Sequence, residues 1–394
     1  MPSYLSRVLR VLLALAVLLV VAFFAGGGWY FAGQIDDGAL AVTHAPERDT
    51  LRLTPGQDGT TVALLRRSAE VSRIVDSDQT YGVEWAGGYG QLTGPARPGP
   101  DGAVVRDLRV LVGTRPTAGT PAHLDRSAFP ADPRRVLGAS AQSITYLVGG
   151  TEVPAWFAPG LGGNTAGTWV VLVHGKGATR AEMLRPMRDV VATGLPALAI
   201  SYRNDVGAPA DPHHRYGYGR TEWPDLAAAV RYAAGRGADQ VVLVGASMGG
   251  GIIASYLEHR PQASLPVAGV VLDAPMLDLA ATVQYGARQR PLPVLGHVPD
   301  ALTWVAERIA TMRFGVHWGA VDYLDSSAWL TMPALVLHGG DDLTVPLATS
   351  ERLRAEHPHL VQLLVTPHAD HVESWNEDPA AYDRAVRAFL RRVA

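Results

Sequence analysis

The sequence predicts an α/β fold: a mostly parallel sheet with helices on both faces, preceded by an N-terminal transmembrane helix and a small β-rich region. Three observations lead to this prediction. A long apolar run occupies the N-terminus, β-rich runs separated by Gly- and Pro-rich turns follow from about residue 40, and strand-like and helix-like stretches alternate from about residue 143. We therefore expect an anchor at 1–39, a β-rich accessory region at 40–142 and an α/β domain at 143–394.

The composition supports a large folded domain and excludes several classes of site. Hydrophobic residues make up 47% of the chain and charged residues 18%, which is ample material for a buried core. The net charge is −3 and no basic block occurs, so nucleic-acid binding has no support. The chain has no cysteine, which excludes disulfides, thiolate metal sites and cysteine nucleophiles but leaves the compartment open.

The N-terminal run predicts a membrane anchor. Arg7 and Arg10 precede an apolar stretch at 11–24, and Trp29 and Tyr30 follow at its far end. The stretch is about the 20 residues that a membrane-spanning helix needs. Arginines before it and an aromatic pair after it match the positive-inside rule and an interfacial belt. We expect a single-pass cell-membrane protein with its N-terminus inside and the α/β domain extracytoplasmic.

A cleaved secretory signal is the alternative interpretation of the same stretch. Small residues at Ala25 and Gly27 are suitable for a signal peptidase. The apolar character continues past them, whereas the hydrophobic part of a signal peptide is shorter. We therefore favour the anchor; cleavage would instead make the protein secreted.

Residues 40–142 are predicted to form a small β-rich region. Residues 50–54 alternate between apolar and polar, and 62–65 and 104–112 are further β-rich runs. Gly- and Pro-rich clusters at 94–102 and 117–121 are predicted as turns. No catalytic motif occurs in this region. It could serve in packing, in spacing from the membrane, or in shaping one wall of the site.

From residue 143 the chain alternates between predicted strands and helices. The first two strands form a hairpin, and the later strands are near-continuous apolar runs, which is typical of a parallel sheet covered on both faces. Sites in such sheets lie beyond the carboxyl ends of the strands. Residues 276–330 interrupt the alternation and are predicted as a helical cap, either a lid with an acyl pocket or a segment that simply packs. The predicted strands are 143–148, 153–157, 169–173, 197–202, 240–244, 267–272, 334–337 and 361–365, and the helices 180–192, 223–234, 248–258 and 379–392.

The motif with the clearest chemistry is Gly-Ala-Ser-Met-Gly at 245–249. It follows a predicted strand and opens a predicted helix, which is the setting of a nucleophile elbow. The serine of such an elbow, here Ser247, sits on a sharp turn where side chains at the flanking glycine positions would collide. The pattern alone is weak, because Gly and Ser are common, but the strand and helix around it make it specific.

Two later loops supply candidates for the base and acid that a serine nucleophile requires. The first loop contains Asp341 and Asp342 and directly follows the strand at 334–337. The second contains His368 and His371 and follows the strand at 361–365. Both loops lie at strand ends, so both can reach the elbow, and the order Ser, acid, His is that of nucleophile-elbow hydrolases.

Residues 143–394 resemble the α/β-hydrolase superfamily, particularly its lipase, esterase and serine-aminopeptidase-like branches. The resemblance rests on the elbow motif, on His-Gly-Gly-Asp-Asp at 338–342 and on the loop around His371. It implies Asp342 as the acid and His371 as the base, with His368 the less suitable histidine. Asp370 stands where a small residue would be commoner. Asp273 is an alternative acid, since some relatives place it there.

The resemblance also implies an oxyanion hole made of two backbone amides. One belongs to Met248, the residue after the nucleophile, and the other to Lys176, which follows His174 and Gly175 in the loop after the strand at 169–173. The ammonium of Lys176, the only lysine in the sequence, could also meet an anionic substrate. His174 is expected to brace the loop.

The sequence thus predicts a serine hydrolase that cleaves an acyl ester of a small-molecule or lipid-like substrate through an acyl-enzyme intermediate. A serine peptidase of the prolyl-oligopeptidase or aminopeptidase-like type is the alternative enzyme. A non-catalytic binding protein on a hydrolase fold is the alternative of another class. The expected mechanism requires no cofactor and no metal ion. The adjacent pair His213 and His214 is not expected to bind a metal, because it lacks the carboxylate spacing of a metal site.

Overall fold

A computed structural model describes residues 2–42, 50–56, 61–65, 69–163, 167–293 and 295–394. Its helices are α1 (Pro2–Ile35), α2 (Ala69–Asp76), α3 (Pro133–Leu137), α4 (Leu184–Ala192), α5 (Trp223–Ala234), α6 (Met248–His259), α7 (Leu279–Gln289), α8 (Asp300–Phe314), α9 (Leu347–Glu356), α10 (Ser374–Glu377) and α11 (Pro379–Val393). Its strands are β1 (Thr50–Pro55), β2 (Thr61–Leu65), β3 (Tyr81–Trp85), β4 (Gly88–Pro98), β5 (Val104–Gly113), β6 (Thr120–Asp125), β7 (Gln142–Val148), β8 (Thr151–Ala158), β9 (Gly167–Val173), β10 (Ala197–Ile200), β11 (Ala238–Ala246), β12 (Val267–Asp273), β13 (Pro291–Leu292), β14 (Gly296–His297), β15 (Ala334–Gly339) and β16 (Val361–Thr366).

The predicted mostly parallel sheet is confirmed. Eight strands lie in the order β16-β15-β12-β11-β9-β10-β8-β7. The six strands from β16 to β10 are parallel, while β8 joins β10 and β7 in antiparallel pairs. Because β9, β11, β12, β15 and β16 run in one direction, their carboxyl ends share one edge, where the elbow and both candidate loops emerge.

The central strands form because β-branched and leucine side chains alternate between two covered faces. Val170, Leu172, Val242, Leu335 and Leu337 are fully buried, and they belong to one continuous apolar core. Burial of an aliphatic side chain of this size contributes about 1.5–3 kcal/mol. The sheet is therefore a rigid base for the loops at its edge.

The β-rich region closes into a six-stranded antiparallel barrel in the order β1-β2-β5-β4-β3-β6. Residues 94–98, predicted as a turn, instead belong to β4, and the predicted turn at 117–121 includes the start of β6. The register of β4 against β5 shifts between Thr93 and Arg97, and Gly94 there has a φ of 67°. A bulge of this kind lets a strand continue through Gly and Pro, which the turn prediction did not anticipate.

The chain packs as two compact units. One unit comprises Val42–Leu277 and Tyr323–Ala394, and thus contains both the barrel and the eight-stranded sheet. The other comprises Met1–Ala41 and Asp278–Asp322, and thus contains α1, α7 and α8.

In the second unit, the end of the N-terminal helix packs against α8. A Cβ built on Gly28 would lie 2.6 Å from Cγ1 of Val305, so the two helices approach too closely there for a larger side chain. Arg313 donates a hydrogen bond of 3.0 Å to the carbonyl oxygen of Trp29, and its guanidinium stacks over the indole of Trp29 at 4.0 Å. Residues 11–23 of α1 are exposed and apolar, and the helix is long enough to cross a membrane.

Candidate active site

Ser247 lies at the sharp turn between β11 and α6. Its φ is 49° and its ψ is −117°, a region that residues other than glycine seldom adopt. Such a conformation costs about 1–3 kcal/mol and persists only where its surroundings enforce it. The amide of Ser247 donates to the carbonyl oxygen of Asp273 at 2.8 Å, and its own carbonyl oxygen accepts from Gly250 and Met276. The backbone on both sides of the serine is thus tied down.

The glycines of the elbow are required by close backbone contacts. A Cβ on Gly249 would lie 2.2 Å from the carbonyl oxygen of Val173, at the end of the neighbouring strand β9. A Cβ on Gly245 would lie 2.7 Å from the carbonyl carbon and oxygen of Gly249. These atoms belong to backbone and cannot rotate away. The motif at 245–249 is therefore explained by sterics between strand and helix.

The structure brings together Ser247, His371 and Asp342, the three residues that the sequence analysis favoured. Nε2 of His371 lies 2.8 Å from Oγ of Ser247, and Nδ1 of His371 lies 2.8 Å from Oδ2 of Asp342. With the Nδ1 proton donated to the carboxylate, Nε2 is free of a proton and can accept the one on the serine hydroxyl. Both distances are those of hydrogen bonds.

Hydrogen bonds hold the carboxyl group of Asp342 in its ionised form. Its Oδ1 accepts from the amides of Thr344 and Val345, each at 2.8 Å, and its Oδ2 lies 3.3 Å from Nε2 of His338. Burial by itself would raise the pKa of Asp342. The hydrogen bonds from His338, His371 and Val345 outweigh burial and hold the pKa well below its usual range.

The pKa of His371 is shifted in the opposite direction from that of Asp342. Burial by itself lowers the pKa of His371, because the charged ring loses water. The hydrogen bond and charge of Asp342 outweigh burial, Glu182 and Asp273 add to them, and the net pKa is raised above its ordinary value. The ring is therefore a stronger base than a free histidine.

The alternative acid and the alternative base make other contacts. Asp273 is buried, and its Oδ2 accepts from the hydroxyl of Tyr382 at 3.0 Å. Burial raises the pKa of Asp273 to about 6. The ring of His368 is exposed and faces Asp341 at 3.3 Å. Neither residue contacts Ser247 or His371 through a side-chain hydrogen bond in the part of the chain that the structure describes.

The loop expected to complete an oxyanion hole lies beside the nucleophile. A Cβ built on Gly175 would lie 3.1 Å from Cβ of Ser247, so Gly175 lies directly beside the serine. Lys176 is the next residue in the chain. Met248 is the first residue of α6, where a helix leaves its amides without intrahelical acceptors. Burial lowers the pKa of Lys176, and its ammonium lies over the ring of Tyr216 at 5.8 Å.

His174 braces this loop from below. Its Nε2 lies 2.7 Å from Oδ2 of Asp205, and its Nδ1 lies 2.9 Å from the carbonyl oxygen of Gly175. The hydroxyl of Tyr202 lies 3.3 Å from the same Nδ1. Burial lowers the pKa of His174, but Asp205 outweighs burial and the net pKa is raised. The fully buried imidazole thus holds the turn that leads to Lys176.

Three carboxylates near the site form hydrogen bonds that the sequence did not predict. Glu182 accepts from the amide of Gly175 at 2.7 Å, and Asp205 holds His174. Asp370 accepts from the amides of His371 at 2.8 Å and Leu343 at 2.9 Å. The only available signal was the unusual Asp370 itself, which stands where a small residue is commoner.

Hydrogen bonds hold the loops that contain Arg203 and the pair His213 and His214. Arg203 forms a two-pronged ion pair with Asp225, with both contacts at 2.9 Å. Asp211 caps the turn that carries the two histidines by accepting from the amide of His213 at 2.9 Å. Within the described ranges, no group of three or more His, Cys, Asp or Glu side chains is arranged to hold a metal ion.

Comparison with known proteins gives a family match, a protein that is similar in sequence and a protein that is similar in structure. The model of the alpha/beta hydrolase family matches residues 170–385, more than half of the chain. An uncharacterised protein of Mycobacterium tuberculosis is 27% identical over 267 residues, which is 66% of this chain and 82% of that protein. An esterase of Pyrococcus furiosus is similar in structure, with a TM-score of 0.50, 19% identity, and coverage of 67% of this chain and 96% of the esterase.

Proposed function

The chain belongs to the alpha/beta hydrolase family, and we propose that it is a serine hydrolase that cleaves carboxylic esters through Ser247, His371 and Asp342. The observation that carries the proposal is the continuous chain of contacts from Asp342 through His371 to Ser247, with 2.8 Å at each step. Three strand ends supply these groups to one point, which is what nucleophilic catalysis requires.

The proposed reaction proceeds in two stages. Oγ of Ser247 attacks the acyl carbon as Nε2 of His371 takes the hydroxyl proton, and the alcohol then leaves with that proton. Water, activated by the same nitrogen, hydrolyses the acyl-enzyme and restores the serine. The amides of Met248 and Lys176 are proposed to bind the oxyanion in both stages, and one such donor contributes about 3 kcal/mol.

Esters are preferred over peptides because the carboxylates that flank the oxyanion loop are already engaged within the protein. Glu182 binds the amide of Gly175, and Asp205 binds His174. Each of these carboxylates already has a partner within the protein, and this observation favours an ester over a peptide substrate. A small-molecule or lipid-like acyl ester needs no such carboxylate.

A fluorophosphonate probe and a pair of substrates test the proposal. The wild-type protein should be labelled and should hydrolyse short and long p-nitrophenyl esters, and Ser247→Ala should lose both properties. Turnover of aminoacyl amides without turnover of esters would reverse the preference in favour of a peptidase. Absence of labelling in the folded wild type would favour a binding protein on this fold.

We also propose that α1 is retained as a membrane anchor. Residues Ala25 and Gly27 lie inside one continuous helix, and the next residue, Gly28, packs against Val305 of α8. Signal peptidase cleavage there would sever a helix that is part of a folded unit. Alkaline extraction should leave the full-length protein in the membrane fraction, whereas a mature N-terminus near Gly27 would contradict the proposal.

A further inference from the structure

The barrel contacts the loop that carries His371 at several points. Nε2 of Gln79 donates to the carbonyl oxygen of His368 at 3.0 Å, and the hydroxyl of Tyr81 donates to the carboxylate of Glu373 at 2.9 Å. Arg73 of α2, which lies between β2 and β3 of the barrel, forms an ion pair of 3.1 Å with Asp370. These contacts join segments that are almost 300 residues apart in sequence.

Asp370 connects the two loops of the proposed triad. Its Oδ1 accepts from the amide of His371 and from the amide of Leu343, the residue after Asp342. Its Oδ2 faces Arg73. One carboxylate therefore links the histidine loop to the acid loop, and the barrel holds that carboxylate from its other side.

Glu373 forms a second anchor of the same kind. Its carboxylate is almost fully buried and faces Arg126 at 3.3 Å, Arg73 at 3.9 Å and the hydroxyl of Tyr81. Ion pairs with a largely exposed partner contribute little net stability, and 43% of the Arg126 side chain and 42% of the Arg73 side chain are accessible. Such an arrangement is better explained by a need for position than by a need for stability.

The histidine loop has a backbone that requires support. His368 has a φ of 62° and Val372 a φ of 57°. Positive φ is a marked outlier for a β-branched residue, and such a conformation persists only where its surroundings enforce it. His371 lies between these two residues. Its position between Ser247 and Asp342 therefore depends on contacts from outside the loop.

We propose that the barrel positions the catalytic histidine, and that Arg73 is a positioning residue that acts through Asp370 on the loops of His371 and Asp342. The inference rests on the proposed triad. It assigns a task to the accessory region, for which packing, spacing or a wall of the site were the open alternatives.

The central test replaces Arg73 by Gln in the full-length protein. The ion pair is part-exposed, with 42% of the Arg73 side chain accessible, so its loss should leave the protein folded. We expect kcat for p-nitrophenyl acetate to fall about 10–100-fold with KM unchanged, since small misplacement of a catalytic group has effects of this size. Arg73→Lys, which keeps the charge, should recover most of the loss.

The pH profile separates positioning from a merely structural role. Asp342 raises the pKa of His371, so a loosened contact between them should move the acid limb of kcat/KM to lower pH in Arg73→Gln. A variant that is only less stable would have fewer active molecules but an unmoved limb.

Arg97→Gln is the matched control. Arg97 forms an ion pair with Asp107 inside the barrel, and 41% of its side chain is accessible. This variant should keep the wild-type kcat and pH profile. Tyr81→Phe is the second variant, because it removes one hydroxyl from Glu373 with little change in volume, and it should also lower kcat.

The outcomes distinguish this inference from the function on which it rests. Wild-type kcat and pH profile in both Arg73→Gln and Tyr81→Phe would overturn the positioning role, as would a raised KM with unchanged kcat. Turnover that survives in Ser247→Ala would instead overturn the proposed triad. If Arg73→Gln fails to fold, the kcat and pH profile of Tyr81→Phe decide the question.

Discussion

Nε2 of His371 lies 2.8 Å from Oγ of Ser247, although 124 residues separate the two in sequence. The serine is held in a strained elbow and the histidine in a strained loop. In the proposed reaction, both groups would be in place before a substrate arrives, so that little rearrangement would be required.

Replacement of His371 by Asn should abolish ester hydrolysis, because no other base contacts Ser247 among the residues that the structure describes. Loss of the base or the nucleophile of a triad lowers kcat by about 10⁶-fold. His368→Asn is the control, since the ring of His368 is exposed and faces Asp341. Equal losses in the two variants, measured with p-nitrophenyl acetate, would contradict the assignment.

The pH dependence of kcat/KM should report on His371. The base must be neutral, so activity falls as the pH decreases through the pKa of His371. That pKa is raised above 6.5, because Asp342 outweighs burial. The acid limb should therefore lie above 6.5, and a limb at or below this value would argue against the contact with Asp342.

Asp342→Asn should lower kcat by about 10⁴-fold, because the amide would no longer hold the correct imidazole tautomer. Asp273→Asn should have a far smaller effect on turnover, since Asp273 accepts from Tyr382 and makes no side-chain hydrogen bond to His371 in the described structure. Steady-state kinetics of the two purified variants provide the measurement. The opposite ranking would make Asp273 the acid.

Gly249→Ala should destabilise the elbow and remove activity. The added Cβ would meet the carbonyl oxygen of Val173 at 2.2 Å, so strand or helix must shift, at a cost of at least about 1–3 kcal/mol. Gly286→Ala in α7 is the control, because no atom lies within 4 Å of its Cβ position and alanine favours a helix. The midpoint temperature of thermal unfolding and the rate of ester turnover should both decrease in Gly249→Ala and stay at the wild-type values in Gly286→Ala.

Gly28→Leu should disrupt the packing of α1 on α8. The new side chain would overlap Val305, whereas Gly26→Leu meets nothing within 4 Å of its Cβ position. We expect trypsin to cleave the detergent-solubilised Gly28→Leu protein faster after Arg308 and Arg313 of α8. Equal cleavage rates in the two variants would show that the helix contact contributes little.

Much of the α/β domain could be predicted from local patterns. The helix predicted at 248–258 matches α6 to within one residue, and the strand predicted at 240–244 lies inside the longer strand β11. A covered parallel strand requires a continuous apolar run, and an elbow requires glycines where backbones meet, so both leave a direct signal in the sequence. The barrel was harder, because β4 passes through Gly94 and Pro95 on a bulge and resembles a turn.

By itself, the sequence determined the class of fold, the strained turn at Ser247 and a short set of candidates for the base and the acid, because each of these depends on residues close together in the chain. Only the tertiary structure decided which of those candidates meet. It placed His371 against Asp342 while His368 and Asp273 face other partners, and it brought Arg73 to Asp370. Contacts between distant segments depend on how strands are ordered in the sheet and how loops cross its edge. Neither property can be inferred from residues that are close together in the sequence.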